Sequence, residues 1–230
     1  MQKKMNEIVF SSDSTISIQE IYKIDTEALV LFRVNPLDTT FIVTGMFEDY
    51  WLAEINKDGE IISTIDYPIR EETKNIPQIV QPTLYSSSVR FTNSPDNKRI
   101  VVATANQGLI SFLSRSGSGI KEYKQLKYHA PIFTVIEGAS ATYSRENIEG
   151  FFAVDCDDNY IYSLYSGRTY NKHQTSALFC EHLLVYDWEG NPVKRYIMDI
   201  PLRTFCYNKE MNCIYGLTEN PEGVLVEYKL

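Results

Sequence analysis

One sequence pattern occurs four times along the chain and constrains the fold more than any other feature. Each copy begins with phenylalanine, continues through a polar turn rich in Asn, Asp, Pro or Lys, and ends on two apolar or aromatic residues. The copies are FRVNPLDTTFI (32–42), FTNSPDNKRIV (91–101), FAVDCDDNYIY (152–162) and FCYNKEMNCIY (205–215). A unit that returns after roughly 50 to 60 residues predicts a repeat architecture.

Short β-branched and aromatic runs joined by tight turns follow the pattern. In the first repeat the turn is Lys57-Asp58-Gly59, and in the third it is Trp188-Glu189-Gly190. Turns of this kind favour hairpins because glycine readily adopts the positive φ that a tight turn requires. Each repeat therefore predicts a four-stranded antiparallel sheet.

Repeated four-stranded sheets are typical of β-propellers, in which each sheet packs against its neighbours around a central channel. A β-sandwich or an up-and-down barrel would explain the strands but not the repeated unit. Because no window shows a helical period with caps, we expect little helix. The predicted fold class is an all-β propeller forming one domain over residues 1–230, with repeats near 28–68, 89–130, 150–200 and 202–230.

The last repeat contains one strand fewer than the others. After its copy of the pattern only one strand-like run follows, GVLVEY (223–228). Because an unpaired edge strand favours aggregation, we expect residues 7–24 to complete this last blade, with Ile16–Ile24 favoured as the pairing strand. A ring closed in this way would be monomeric.

The charge balance excludes several classes of function. Lys and Arg number 22 against 30 Asp and Glu, which gives a net charge of −8 and argues against binding to nucleic acid or to an anionic membrane. No run approaches the roughly 18 apolar residues of a membrane span, and Asn6 and Glu7 interrupt the start of any signal peptide. As written, the sequence predicts a cytoplasmic protein with no membrane span.

Cysteines and histidines do not form a metal-binding pattern. The chain has four cysteines without a CxxC pair, and its three histidines are not spaced to complete a zinc site with them. We therefore expect free thiols, no metal and no cofactor. Only Cys206 and Cys213 are placed on neighbouring strands of one hairpin, where a disulfide would be geometrically possible but is not expected.

Two motifs approach known functional sites without completing them. Gly138-Ala139-Ser140-Ala141-Thr142 resembles a nucleophile elbow but lacks its second glycine and a following helix, so a plain loop is predicted. Asp155, Asp157, Asp158 and Asn159 resemble part of a calcium loop, but its glycine and its final glutamate are absent. These carboxylates are interpreted as a solvated hairpin turn, and no catalytic residue is assigned.

The candidate binding residues are Tyr165, Arg168, Tyr170 and His173. They lie where a strand enters one of three longer insertions, at 69–88, 134–149 and 167–179, and loops of this kind often carry binding residues. Arginine together with tyrosine can bind a carboxylate, a phosphate or a sugar. The structural alternative is an arginine paired with an acidic neighbour and tyrosines packed between blades.

Several segments resemble the bacterial TolB-like six-bladed β-propeller proteins. The resemblance is carried by YIYSLYSGR (160–168), LVYDWEGNPVKRY (184–196) and residues 220–230, with further support at residues 93–98 and at Asp58-Gly59. It covers roughly residues 32–230, which would correspond to the four C-terminal blades. The resemblance implies a binding or scaffolding role and an exported or lipid-anchored full-length protein. The chain departs from that pattern by showing four repeats and no secretion signal.

The predicted function is non-enzymatic binding or scaffolding, with a protein or a small polar ligand as partner. One alternative is a hydrolase or lyase in which a carboxylate or His173 acts at the channel mouth. Another is an incomplete propeller whose missing blades come from a partner, which would expose strand edges and self-associate. Two or more acid–base residues converging on the channel would favour the enzyme.

Overall fold

Antiparallel strands form most of the molecule. The computed structural model describes residues 3–10, 16–24, 31–68, 70–138, 140–219 and 222–230. The first two strands, β1 (Lys3–Phe10) and β2 (Ile16–Ile24), pair with each other as a separate hairpin.

Four sheets follow, and in each of them consecutive strands pair. Sheet I contains β3 (Leu31–Pro36), β4 (Thr40–Gly45), β5 (Leu52–Asn56) and β6 (Ile61–Ile65). Sheet II contains β7 (Val89–Asn93), β8 (Arg99–Thr104), β9 (Leu109–Ser116) and β10 (Gly119–Lys127). A separate hairpin consists of β11 (Phe133–Ile136) and β12 (Ser140–Tyr143). Sheet III contains β13 (Phe151–Cys156), β14 (Tyr160–Tyr165), β15 (Cys180–Asp187) and β16 (Pro192–Leu202), and sheet IV contains β17 (Thr204–Asn208), β18 (Cys213–Thr218) and β19 (Val224–Lys229).

The first strands of the sheets lie next to one another, which makes the arrangement that of a β-propeller. Side chains tie these strands together: Asn35 Nδ2 donates to Asn93 Oδ1 at 3.0 Å, and Cys156 Sγ donates to the Asn93 carbonyl at 3.1 Å. Farther along the ring, Asp155 Oδ2 accepts a hydrogen bond from the Tyr207 amide at 2.8 Å. The predicted all-β propeller with four repeats is confirmed, while residues 28–30 of the first predicted repeat and 220–221 of the last lie outside the described residues.

Strand β8 shows how one sheet serves two interfaces. Because successive side chains of a strand point to opposite faces, Ile100 and Val102 pack with residues of sheet I, whereas Val101 and Ala103 pack with residues of sheet III. All four are fully buried. A continuous apolar run is therefore required in β8, in place of the alternating pattern of a sheet with one solvated face.

The expected closure of the last blade is wrong. Ile16–Ile24 pairs with Lys3–Phe10, and sheet IV has three strands among the residues that the structure describes. A local hairpin closes a short loop, whereas pairing with β19 would bring together segments about 200 residues apart at a greater cost in chain entropy. Residues 11–15 of the predicted closing segment lie outside the described residues.

The long insertions and the tight turns lie at opposite ends of the sheets. In an antiparallel meander, the turn between the second and third strands and the connection to the next sheet leave from the same end. We call this end the loop face, formed by residues 46–51, 66–68, 70–88, 105–108, 128–138, 140–150 and 166–179. Two insertions expected to be plain loops contain short helices, namely a 3₁₀ helix (Gln78–Val80), α1 (Gln81–Tyr85), α2 (Tyr170–His173) and a second 3₁₀ helix (Gln174–Leu178).

The hairpin turns confirm the glycine signals in the sequence. Gly59 and Gly190 have φ values of 84° and 75°, in the region that favours glycine. At Gly190 a Cβ atom would also lie 2.9 Å from the Phe112 ring, so the turn and the packing beneath it both require glycine.

The four cysteines are free thiols in different surroundings. Cys180 and Cys213 are buried, Cys156 is half-buried and Cys206 is exposed. Cys206 lies opposite Tyr215 and Cys213 lies opposite Asn208, so these two cysteines occupy neighbouring strands without facing each other directly. Burial raises the pKa of Cys156 to about 11 and also raises the pKa of Cys180.

Phe112 is expected to be a main contributor to the stability of sheet II. It is fully buried and lies 5.8 Å from the Tyr186 ring of sheet III. We expect F112A to lower the free energy of unfolding by about 3–5 kcal/mol, because it leaves a cavity between the sheets. The matched control is F32A at an exposed phenylalanine, which should cost about 1 kcal/mol or less. Urea denaturation measures both, and equal losses would contradict the interface assignment.

Thiol reactivity should follow burial. At pH 8 we expect Cys206 to react with Ellman's reagent quickly in the native protein, because its thiol is exposed, whereas the other three react only on unfolding. The C206S variant should lose the fast phase. A fast phase that persists in C206S would show that one of the buried thiols is accessible.

Candidate functional site

The insertion between β14 and β15 is fixed to the adjacent loop by backbone hydrogen bonds. The amides of Ser166 and Gly167 donate to the carbonyls of Gly150 and Glu149, each at 2.9 Å, and the Glu149 amide donates to the Arg168 carbonyl at 2.7 Å. At Gly150 a Cβ atom would lie 2.6 Å from the Ala105 carbonyl oxygen. Glycine therefore permits the close approach that positions this part of the loop face.

Arg168 leaves this anchored segment with both ends of its guanidinium engaged. Its Nη2 forms an ion pair with the Glu181 carboxylate, and its Nη1 donates to the Ser176 carbonyl at 3.4 Å. The acidic neighbour considered in the sequence is therefore present. The ion pair joins the insertion to the start of β15.

Tyr165 packs in an aromatic group and keeps its proton. Its ring centroid lies 5.1 Å from those of both Tyr128 and Phe151, and its hydroxyl lies 3.5 Å from His129 Nδ1. Burial, together with the nearby Tyr128, raises the pKa of Tyr165 to about 12. At neutral pH it therefore presents a hydroxyl donor.

Tyr170 and His173 have different environments. The Tyr170 ring lies 5.5 Å from the Arg145 guanidinium carbon, which is a cation–π contact within the loop face. The His173 Nδ1 atom lies 3.2 Å from the Thr169 carbonyl, and its ring is otherwise exposed.

A cavity of about 520 Å³ brings together three of the four predicted residues. We call it the histidine cavity, and its polar and aromatic walls include Tyr128, Tyr165, Arg168, His173, His182 and Arg195. Tyr170 does not line it. Its volume lies within the range typical of small-molecule sites.

His182 and Arg195 lie side by side on β15 and β16. Arg195 faces Leu184 in the strand register, and its Nη2 lies 3.2 Å and 3.3 Å from the two ring nitrogens of His182. Burial lowers the pKa of His182 below its usual value near 6.5, and the charges of Arg195 and Arg168 lower it further, while Glu181 opposes them. The ring is therefore neutral at pH 7.

Sequence reasoning missed His182, Arg195 and Tyr128. The predicted hairpin offered a partial signal for His182 and Arg195, because pairing residues outward from the turn at Gly190 places these two residues close together on adjacent strands. The bulge between Val185 and Tyr186 alters that pairing, and the turn residues alone do not indicate it. Tyr128 follows the last strand of sheet II and reaches the cavity only through packing between sheets.

The two incomplete motifs are structural. The carboxylate of Asp157 accepts hydrogen bonds from the Asn159 and Tyr160 amides, both at 2.7 Å, and Asp158 pairs with Lys209, so these side chains form the predicted hairpin turn. The plain loop predicted at residues 138–142 is wrong, because Ser140–Thr142 belong to β12 and pair with β11; Gly138 lies in the turn, and Ala139 lies outside the described residues. Within the described ranges, no three His, Cys, Asp or Glu side chains are grouped so that they could hold a metal ion. No helix in the same ranges is long and apolar enough to cross a bilayer.

Comparisons with known proteins agree with this architecture. A family model described as TolB-like 6-blade propeller-like matches residues 1–210. The computationally designed Ika4 protein is similar in structure, with a TM-score of 0.52 at 9% identity over 92% of this chain and 98% of the designed chain. A candidate 6-phosphogluconolactonase from Bacteroides uniformis ATCC 8492 has a TM-score of 0.54 at 11% identity. The alignment covers 98% of this chain but only 60% of that protein, and no curated protein matches the chain.

The charge of Arg195 should control the protonation of His182. We expect R195Q to raise the pKa of His182, because it removes a positive charge that destabilises the imidazolium. The pH dependence of the histidine ring signals in NMR spectra measures this change. R203Q, which removes an arginine that does not line the histidine cavity, is the control and should leave the His182 curve unchanged. Equal His182 titration in R195Q and wild type would contradict the contact.

Proposed function

The chain belongs to the TolB-like six-blade propeller-like family, and on that premise we propose that it is a non-enzymatic binding propeller. The ligand is a small polar anion, and the histidine cavity on the loop face is its site. A binding role through one face is consistent with the arrangement of the sheets, which places the long insertions at one end.

The charge of the cavity supports this proposal more than any other observation. Two guanidinium groups line it, and none of its described lining residues is Asp or Glu, although the chain as a whole carries a net charge of −8. Among the described residues Arg195 has no carboxylate partner. Its guanidinium contacts the neutral ring of His182 instead. An oxyanion would supply the missing counter-charge and accept hydrogen bonds from a planar guanidinium.

The neighbouring groups suit a bound oxyanion. Tyr165 keeps its proton, and burial likewise raises the pKa of Tyr128, so both rings carry hydroxyls at neutral pH. The Tyr128 hydroxyl shares a 2.5 Å hydrogen bond with the Tyr186 hydroxyl, and when Tyr186 donates in it, the Tyr128 proton is left for a ligand. His173 adds a further ring nitrogen to the wall. The resulting set of donors would select for a ligand with several acceptor oxygens.

The non-enzymatic part of the proposal is supported by the pairing of the ionisable groups. Glu181, which precedes His182 in β15, is held in the ion pair with Arg168, and His182 is flanked by cations that oppose its protonation. A hydrolase would favour a carboxylate and a histidine facing a common substrate atom. The similarity to the Bacteroides uniformis protein is a similarity of fold, so its name does not supply an activity.

Sulfate is a suitable probe because its charge is constant between pH 5 and 8. In an NMR titration at constant ionic strength we expect saturable shifts around Arg168, His182 and Arg195. R195Q should weaken sulfate binding about fivefold, because a charge-assisted hydrogen bond at this partly exposed position is lost. R203Q is the matched control and should bind as wild type does. Equal affinities of R195Q and wild type would contradict the site, and turnover of 6-phosphogluconolactone by the purified chain would contradict the non-enzymatic assignment.

Sulfate binding should also depend on pH through His182. Because the pKa of this ring is lowered, His182 is neutral at pH 7 and gains its charge only below about pH 6.5. We therefore expect affinity to rise as the pH falls from 7 to 5, and H182Q to show a flatter profile. The same profile in H182Q and wild type would exclude a contribution from His182.

A further inference from the structure

A second cavity lies between the insertion and sheet IV. Its volume is about 430 Å³, and we call it the phenylalanine cavity after Phe179 in its wall. Arg168 lines both cavities, and the second one extends from there to the end of β16 and the start of β17. Of the four binding residues predicted from the sequence, only Arg168 lines this second cavity.

The phenylalanine cavity has one apolar wall beside polar and charged residues. The apolar wall includes Leu178 and Phe179 from the insertion and Ile200 and Pro201 from β16. Ile200 is 38% exposed, which leaves apolar surface open to the cavity. A ligand that covers this surface gains from the removal of apolar area from water.

Arg203 provides the charge at the edge of this apolar wall. Its guanidinium carbon lies 5.9 Å from the centre of the Phe179 ring, and its Nε forms a 3.6 Å ion pair with Glu219, the one carboxylate among the described lining residues of this cavity. That separation is too long for a hydrogen bond, and the guanidinium donates no hydrogen bond to any residue within the described ranges. The Nη1 and Nη2 groups of Arg203 therefore remain available to a ligand.

Other cations add to the positive field beside Arg203. Arg90 uses its Nε to donate to the Phe152 carbonyl at 2.8 Å, so it crosses from sheet II to sheet III. Burial lowers the pKa of Arg90, and the positive charges of Arg33 and of Arg203 lower it further. In the described part of the chain, neither Arg33 nor Arg90 forms an ion pair.

We propose that the phenylalanine cavity binds a small carboxylate with an aromatic or branched aliphatic body. The carboxylate accepts two hydrogen bonds from the Nη1 and Nη2 groups of Arg203, and the body packs on Leu178, Phe179 and Ile200. Carboxylates match the planar fork of arginine, and the apolar wall distinguishes such a ligand from an inorganic anion. This site is separate from the histidine cavity and does not depend on the function proposed there.

Benzoate is the probe, and benzamide is its neutral counterpart with the same ring. In ¹⁵N NMR titrations of the full chain we expect benzoate to shift the amides of Phe179, Arg203 and Thr218 in a saturable way. Benzamide should bind about tenfold more weakly, because it lacks the charge that pairs with arginine. Equal binding of the two probes would overturn the carboxylate assignment, and shifts that do not saturate would overturn the site.

Matched variants separate the two cavities. R203Q should weaken benzoate binding about tenfold, whereas R195Q should leave it unchanged, which is the reverse of the result expected with sulfate. I200D provides a second test, because it places a carboxylate on the partly exposed wall and should also abolish binding. Retained benzoate affinity in folded R203Q or I200D protein, or loss in R195Q, would overturn the proposal. Loss of sulfate binding alone would leave it intact.

Discussion

The hydrogen bonds between the first strands of neighbouring sheets are the constraint on which the rest of the molecule depends. A propeller sheet cannot pair edge to edge with the next sheet, so contacts across the gap must come from side chains. Here Arg90 donates to the Phe152 carbonyl, Asn35 donates to Asn93, and Asp155 accepts from the Tyr207 amide. Each bond joins two sheets and satisfies a polar group that packing would otherwise isolate.

With the first strands aligned, the position of the loop face follows from the meander. The insertion at residues 166–179 returns to Gly150 and Glu149 of the preceding connection, and this contact fixes where Arg168 leaves the backbone. Arg168 then separates two cavities of different chemistry. One has histidines beside Arg195, and the other has an apolar wall beside Arg203. The two cavities share Arg168, but their second guanidinium groups come from different places, Arg195 from β16 and Arg203 from the connection between β16 and β17.

The sequence predicted features that depend on local chemistry and missed those that depend on register. The positive φ of Gly59 and Gly190 follows from turn requirements, and the buried run in β8 follows from a sheet packed on both faces. The pairing predicted for Ile16–Ile24 was wrong, because the residue types of a strand do not indicate whether its partner is near or distant in the sequence. For the same reason Arg168 could be selected from its motif, whereas His182 and Arg195 become neighbours only through a bulged register.

The unequal faces of sheet IV have a consequence for motion. One face packs Ile214 against sheet III, while the other carries the exposed side chains of Cys206, Leu217 and Leu225. A sheet anchored on one side opens at a lower free energy than a sheet enclosed on both, so its amide hydrogens exchange sooner with solvent. The phenylalanine cavity spans the junction between sheets III and IV. A ligand bound there would therefore raise the free energy of this opening and slow amide exchange in sheet IV.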